Sequence, residues 1–261
     1  MSEFPKIIHQ IWIQGEDKIP EKFHENISKN KENNPDWKYI IWDEPMIMQL
    51  LKETNPEWLE TYNKLKYLHQ KADYGRYVIL YLQGGIYIDM DAYTIKSLDS
   101  LNSNFGEYEL LVSRVNTNFL ENFLSTWQMK RIINNGVIMC KPENGIMLKL
   151  IESIVKEPIC EDYDTKYMCI QRITGPKKFS NMIYDNMDEK VKILTYDYFE
   201  PCLLSECDIT SNTYIVHKHE SSWISSYMRK FFQSYVYLRS NPILVIILIL
   251  IIICLWFAFT S

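Results

Sequence analysis

The stretch GGIYIDMDA at residues 84–92 sets two carboxylates two positions apart at the end of an apolar run, directly behind a glycine pair. Side chains alternate along an extended chain, so Ile86, Ile88 and Met90 are expected on one side and Tyr87, Asp89 and Asp91 on the other. That assigns core packing to the first face and chemistry to the second. Two like charges on one strand edge repel, and they gain nothing unless a cation or hydrogen-bond donors sit between them. A hard divalent ion answers the repulsion: Mn2+ or Mg2+ takes one or two carboxylates together with the phosphates of a substrate. At the carboxyl end of a strand in an open α/β sheet, the pair is a candidate site for a nucleoside diphosphate. Solvated turns also produce Asp-x-Asp triplets, so the surrounding elements must carry the reading.

Those elements alternate. KIIHQIWIQG is a β-branched apolar run ending at a Gly turn, followed by a polar helical stretch from Pro20. WKYIIWDEP gives a second strand stopped by Asp43 and Pro45, and MIMQLLKE a second helix. Strand, helix, strand, helix at this spacing predicts a parallel sheet with covered faces. A long helix is expected from Tyr62 to Gln83, closed by Gly84 and Gly85, with Asp73 and Arg76 three apart on one face. Further strands are expected at YELLVSRV, GVIMC, KILTY and TYIVHKH, and a helix at NGIMLKLIESIV.

The 261 residues are 47% hydrophobic and 23% charged, enough for one sizeable core. A net charge of -5 and the absence of a basic stripe speak against a nucleic-acid partner. The six cysteines form no CxxC pair, so they read as mostly reduced, buried thiols. MSEFPKIIHQ lacks the basic and apolar regions of a secretory signal. At the other end, Ile243 to Phe259 is unbroken apolar sequence. At 1.5 Å per residue it makes roughly 25 Å of helix, the short end of what spans a bilayer. A buried core helix is the alternative. Arg229, Lys230 and Arg239 precede the run and only Thr260 and Ser261 follow it. That asymmetry predicts a tail anchor with the large N-terminal part in the cytosol, where the Asn-x-Ser at Asn26 stays unglycosylated. The expected organisation is an α/β domain at 1–222, a juxtamembrane amphipathic segment at 223–240 and a transmembrane anchor at 241–261. The middle segment also reads as a last core helix.

KADYGRYVILYLQGGIYIDMDA, with PKIIHQIW before it and HKHESSW near the end, resembles the DXD-containing glycosyltransferases of family 32. That family includes initiating mannosyltransferases and inositol-phosphoceramide mannosyltransferases, and the glucosylating clostridial toxins are more distant relatives. The resemblance runs from Pro5 to about Trp223. It implies a GT-A type, Rossmann-like nucleotide-sugar-binding fold and a metal-dependent retaining transferase. By position, Trp12 matches the aromatic that stacks on the donor base, and Asp73 and Arg76 match the pair that holds the donor sugar. Tyr87, Asp89 and Asp91 match ribose, sugar and metal contacts, with Asp91 the direct metal ligand. Asn135 matches a donor-sugar contact, with Asn134 open as a register alternative. Thr174, Gly175 and Pro176 match the family's TGP turn. His217 takes a metal or diphosphate role and Trp223 a diphosphate contact, while His219 is left outside the primary set. Glu143, Asn144 and Gly145 stand where the family usually has His-Pro, a departure on the acceptor side.

The resulting expectation is transfer of a hexose, mannose first, from GDP-mannose or a UDP-hexose to a membrane-associated lipid or glycan acceptor. A metal phosphohydrolase and a catalytically inactive carbohydrate-binding relative are the competing readings. The first would want further Asp/His clusters, and the second has no need of a repulsive carboxylate pair.

Overall fold

The isoleucines of KIIHQI build β1 (Ile7–Ile11), a strand buried along almost its whole length. It pairs in parallel with β2 (Lys38–Trp42), reached through α1 (His24–Glu32). Asp43 caps α2 (Glu44–Thr54) by accepting from the Met46 amide at 2.9 Å, with Pro45 in the first turn where its missing N–H is harmless. Then follow α3 (Pro56–Lys64), α4 (Leu68–Gln83), β3 (Gly85–Ile88), β4 (Ala92–Thr94), α5 (Asp99–Phe105), β5 (Leu110–Arg114) and β6 (Ile133–Cys140). The remaining elements are α6 (Gly145–Lys156), α7 (Lys166–Ile173), α8 (Pro176–Asp185), β7 (Val191–Leu194), α9 (Tyr196–Phe199), β8 (Cys202–Leu203), β9 (Glu206–Cys207) and β10 (Ile215–His217). This computed structural model describes residues 3–116, 132–203 and 206–219, with 230, 234, 247, 250 and 251 as helical positions. Trp223, most of 223–240 and most of the anchor at 241–261 lie outside the described residues. Among the described residues no helix is long and apolar enough to cross a membrane.

The main sheet has six strands in the order β2-β1-β3-β6-β5-β7. It is mixed: β1 runs parallel to β2 and β3, and β5 to β7, while β6 is antiparallel to both its neighbours. Helices cover both faces. Leu51, Tyr62, Ile79, Ile138, Ile151 and Phe179 fill the side of α2, α3, α4, α6 and α8. Ile8, Ile86, Ile88, Leu101, Met139 and Phe199 fill the other. Tyr87 belongs to the first cluster, so both faces of β3 are core and chemistry begins only where the strand ends. Alternation fails at Met90 for the same reason. Asp89 to Ala92 is a tight turn closed by the Ala92 amide on the Asp89 carbonyl at 3.0 Å, and Met90 packs with Ile19 and Phe23 instead.

The single long helix expected from Tyr62 is two. Leu65 is extended and buried, and Gln70 Oε1 accepts from the Tyr67 amide at 3.1 Å to start α4 afresh. The glycine pair closes α4 as expected: Gly84 and Gly85 have φ of 63° and 92°. A Cβ at Gly85 would stand 2.5 Å from the Ile7 carbonyl oxygen, so only glycine lets β3 lie against β1.

The cysteines depart from expectation. Cys160 joins Cys169 and Cys202 joins Cys207 in disulfides, leaving Cys140 as the free buried thiol among the described residues. Spacings of nine and five residues carry no motif, and the pairs meet only through the fold.

His9 is wholly buried, and its two ring nitrogens define one tautomer. Trp42 Nε1 donates to Nδ1 at 3.1 Å, so Nε2 carries the proton and donates to the Gly84 carbonyl at 2.9 Å. Burial lowers its pKa to about 4. Between that value and the ordinary 6.5 the unfolded chain binds a proton that the native chain refuses, so stability is complete above 6.5 and falls with pH through this window. Urea unfolding is expected to show a loss of about 2 kcal/mol between pH 7.5 and pH 5 from this group. A His9→Gln variant should lack that share of the pH dependence.

Candidate active site

Asparagines of α1 and of the two residues that follow it hold the backbone around the carboxylate pair and after it. Asn26 Nδ2 donates to the Met90 carbonyl at 2.9 Å, inside the turn itself. Asn30 treats β4 as a neighbouring strand would, accepting from the Thr94 amide at 2.7 Å and donating to the Ala92 carbonyl at 3.3 Å. Asn33 Nδ2 donates to the Thr94 carbonyl and Asn34 Oδ1 accepts from the Leu98 amide, each at 2.8 Å. Asn26 is 2% exposed, so its Asn-x-Ser sequon is closed to glycosylation in the folded state. Asn30→Ala leaves the buried Thr94 amide without this partner; a loss of about 3 kcal/mol in denaturant unfolding is expected.

From the other side, β10 pairs antiparallel with β4 and sets His217 opposite Ala92. This register brings His217 onto the pair: Nε2 lies 3.1 Å from Asp91 Oδ1 and 3.8 Å from Asp89 Oδ2. Ligand atoms of Asp89, Asp91 and His217 all fall within 4.8 Å of one another. Two carboxylate oxygens and an imidazole nitrogen suit Mn2+, and less well Mg2+, which prefers oxygen alone. The backbone at β6 leaves room for this cluster. A Cβ at Gly136 would lie 2.4 Å from His217 Cε1 and 2.6 Å from Asp89 Oδ2.

The two oxygens of Asp89 face different partners. Oδ1 accepts from the Tyr87 hydroxyl at 2.7 Å and pairs with Arg76 Nη1 at 3.2 Å, while Oδ2 faces His217. Burial raises the Asp89 pKa, and Arg76 opposes the rise. Arg76 also pairs with Asp73 through Nη2 at 3.1 Å, donates to the Asn135 carbonyl at 2.6 Å and lies 4.3 Å over the Tyr87 ring. Asp73 accepts from Asn135 Nδ2 and Thr174 Oγ1, each at 2.9 Å. Burial pushes its carboxyl up to about 6 against the pull of Arg76 and these donors. Asp73 and Arg76 are therefore a buried pair built into a network, where a surface ion pair was the alternative.

Glu200, which the sequence reading passed over, is 1% exposed behind His217. Burial works against its charge, yet His217 and His219 hold its carboxyl down to about 2. His217 is likewise desolvated, but Glu200 and Asp91 raise it well above the usual imidazole value. His219 also enters the site. Its ring stacks on His217 with centroids 4.1 Å apart, and Nε2 lies 2.8 Å from Glu200 Oε2. His219 follows the end of β10 by two residues, close enough in HKH for the two rings to meet.

These groups line a cleft of about 460 Å³. Asp73, Arg76, Tyr87, Asp89, Asp91, Asn135 and His217 all reach it, as does Trp12, whose Nε1 donates to the Lys18 carbonyl at 3.0 Å and whose ring packs 5.7 Å from Phe23. Asn134 and Asn135 both belong to the site: the first contacts His217 Nδ1 at 3.3 Å, and the second holds Asp73 and the Tyr77 hydroxyl. Thr174 fixes Asp73, and Pro176 of the same turn lines the cleft. Trp223 lies outside the described residues; Trp12, Asp73, Arg76, Tyr87, Asp89, Asp91, Asn135 and His217, all expected from the sequence, meet in this one place.

Known proteins share sequence and fold with this chain. Residues 20–106 match the family described as a glycosyltransferase sugar-binding region containing a DXD motif. An uncharacterized glycosyltransferase of Acanthamoeba polyphaga mimivirus is 35% identical over 232 residues, 84% of this chain and 83% of that one. The mannosyl phosphorylinositol ceramide synthase SUR1 of Saccharomyces cerevisiae is 43% identical over 176 residues. That match takes in 66% of this chain but only 40% of the yeast protein. In fold, the chain is similar to the UDP-bound glycosyltransferase domain from the YGT toxin, with a TM-score of 0.53, 9% identity and coverage of 87% and 83% of the two chains. The α/β fold is thus of the GT-A-like glycosyltransferase kind, and the chain belongs to the DXD-containing glycosyltransferases of family 32.

Proposed function

We propose that the chain is a metal-dependent retaining hexosyltransferase that moves mannose from GDP-mannose to the hydroxyl of a membrane-associated acceptor, an inositol-phosphoryl sphingolipid first. The observation that carries the metal-dependent part is the convergence of Asp89, Asp91 and His217 at the floor of the cleft. These three would hold Mn2+, which when bound neutralises the charge that a leaving diphosphate develops. Arg76 and Asp73, locked by Asn135 and Thr174, present a rigid acidic and basic edge to the sugar hydroxyls. Trp12 at the rim of the cleft offers a face for the base, and Tyr87 reaches the ribose side while orienting Asp89. In a retaining transfer the acceptor hydroxyl attacks from the leaving-group face and hands its proton to the departing phosphate. The anomeric bond to the diphosphate breaks as the new glycosidic bond forms.

The mannosyl and sphingolipid parts of this reading draw on the similarity to the yeast ceramide synthase. A UDP-hexose donor or a glycan acceptor is the second reading, favoured by the fold's likeness to a UDP-bound toxin domain. The apolar run at 243–259 would tether the catalytic domain, 1–222, through the 223–240 segment, raising the effective concentration of lipid acceptors. The side of the membrane is read from two features that disagree. Flanking Arg and Lys favour the cytosol. Two disulfides favour an oxidising compartment, and we give them more weight because reduced thiols are the rule in the cytosol.

Full-length protein in liposomes, given GDP-[14C]mannose and Mn2+ with inositol-phosphoceramide, is expected to label the lipid. Label found only in soluble glycan or protein would remove the lipid acceptor. For the orientation, protease added to sealed microsomes is expected to leave residues 1–222 intact, and digestion from outside would restore the cytosolic assignment.

A further inference from the structure

We propose that Glu200 is a positioning residue that turns His217 into a metal ligand and fixes which of its ring nitrogens faces the carboxylate pair. The inference rests on the metal-dependent reading above and goes beyond it to a residue that touches neither sugar nor metal. Glu200 Oε1 lies 3.2 Å from His217 Nδ1. A carboxylate only accepts, and each ring nitrogen faces one: Nε2 is aimed at Asp91 and Asp89, so when Nε2 gives up its proton to ligate a metal, the remaining proton sits on Nδ1 against Glu200. A metal-ligating histidine commonly gives its other N–H to a carboxylate, which fixes the ring's orientation and makes the ligating nitrogen more basic.

The surroundings make this placement hard to reach by accident. Glu200 follows the short helix α9 and is 1% exposed, while His217 is 3% exposed, so neither side chain has room to turn to solvent. Its amide donates to the Tyr196 carbonyl at 2.7 Å, and the Tyr214 amide donates to the Tyr198 carbonyl at 3.0 Å, tying α9 to the chain entering β10. The backbone that carries Glu200 is thereby docked to the strand that carries His217. The second carboxylate oxygen meets His219 Nε2 at 2.8 Å, and His219 has a φ of 51°, a left-handed conformation uncommon outside glycine. Oε2 of Glu200 thus anchors a residue whose backbone is strained, and the His219 ring in turn closes over His217. Gly136 opposite the imidazole leaves no space for a side chain that would push the ring out of this position. One buried carboxylate therefore lies against both histidines at the cleft and bonds to His217.

The test measures metal binding directly, on the full-length protein in detergent micelles, by the loss of the free Mn2+ signal in electron paramagnetic resonance. Glu200→Gln keeps an acceptor but removes the charge. Its dissociation constant for Mn2+ is expected to rise about 10- to 100-fold. Glu200→Asp, which restores the charge on a shorter arm, is expected to recover part of that affinity. Turnover of Glu200→Gln should return toward wild type as Mn2+ is raised, which a merely structural defect would not do. Should Glu200→Gln fail to fold, Glu200→Asp alone decides, with several-fold weaker Mn2+ binding expected. Asp91→Asn serves as reference. If it loses Mn2+ while both Glu200 variants bind as tightly as wild type, the positioning role is overturned and the metal site stands. If Asp91→Asn binds Mn2+ like wild type, the metal-site reading fails and this proposal falls with it.

Discussion

Asp91→Asn is expected to lower sugar transfer and donor hydrolysis about a thousandfold while leaving the unfolding midpoint close to wild type. The side chain sits on the Asp89–Ala92 turn, outside either core cluster, so its loss opens no cavity. What it removes is a negative ligand 3.1 Å from His217 Nε2. Among the described residues His217 would then keep Glu200 and Asp89 as close carboxylate partners, and the Asp89–Asp91 pair would lose half of the charge that draws in a divalent ion. Asp89→Asn is expected to do nearly as much and also to disturb Arg76 and Tyr87, which both hold Asp89 Oδ1. The measurement is steady-state release of nucleotide from GDP-mannose at saturating Mn2+. Turnover in Asp91→Asn within a few-fold of wild type would move the metal-binding function elsewhere.

Gly136→Ala carries the second large effect, and it acts without removing any polar group. One methyl at this position would stand 2.4 Å from His217 Cε1 and 2.6 Å from Asp89 Oδ2. His217 cannot retreat, because Glu200 and the β10–β4 pairing fix it from behind. Asp89 is held by Tyr87 and Arg76. The methyl must therefore push the two ligands apart by roughly 1 Å, a displacement that lowers a positioned reaction about a hundredfold. Nucleotide release kinetics at increasing Mn2+ check it: a fall in kcat that excess Mn2+ does not restore is expected. An unchanged kcat would mean that the cluster is looser than the geometry makes it.

Gly136 also illustrates what could be read from the chain and what could not. NNGVIM marked a strand with an asparagine contact, but the need for glycine arises from His217, 81 positions later in the chain, and no local pattern encodes it. The strand-helix alternation of the first 92 residues was legible because burial on both sheet faces leaves continuous apolar runs between capped helices. Asp73, Arg76, Tyr87, Asp89 and Asn135 were legible through the resemblance, and they do meet. Glu200 gave no signal: it follows YDYF and precedes a proline, and its partners are 17 and 19 residues away across a turn of chain. The asparagines of α1 and its C-terminal end were hidden differently, since Asn at 26, 30, 33 and 34 reads as the solvated face of a polar helix. Only the placement of β4 against α1 turns them into a backbone clamp. Both disulfides were missed because pairing depends on distance in the fold and not on spacing in the sequence.

Asp89, Asp91 and His217 are proposed to make this cleft a divalent-metal site for a nucleotide sugar. Its most direct measurement is the hydrolysis of GDP-mannose and of UDP-hexoses by full-length protein, first stripped with EDTA and then titrated with Mn2+. No nucleotide release is expected from the stripped protein, and saturable release as Mn2+ is restored, with GDP-mannose the better donor. Nucleotide release at the same rate with and without Mn2+ would contradict it.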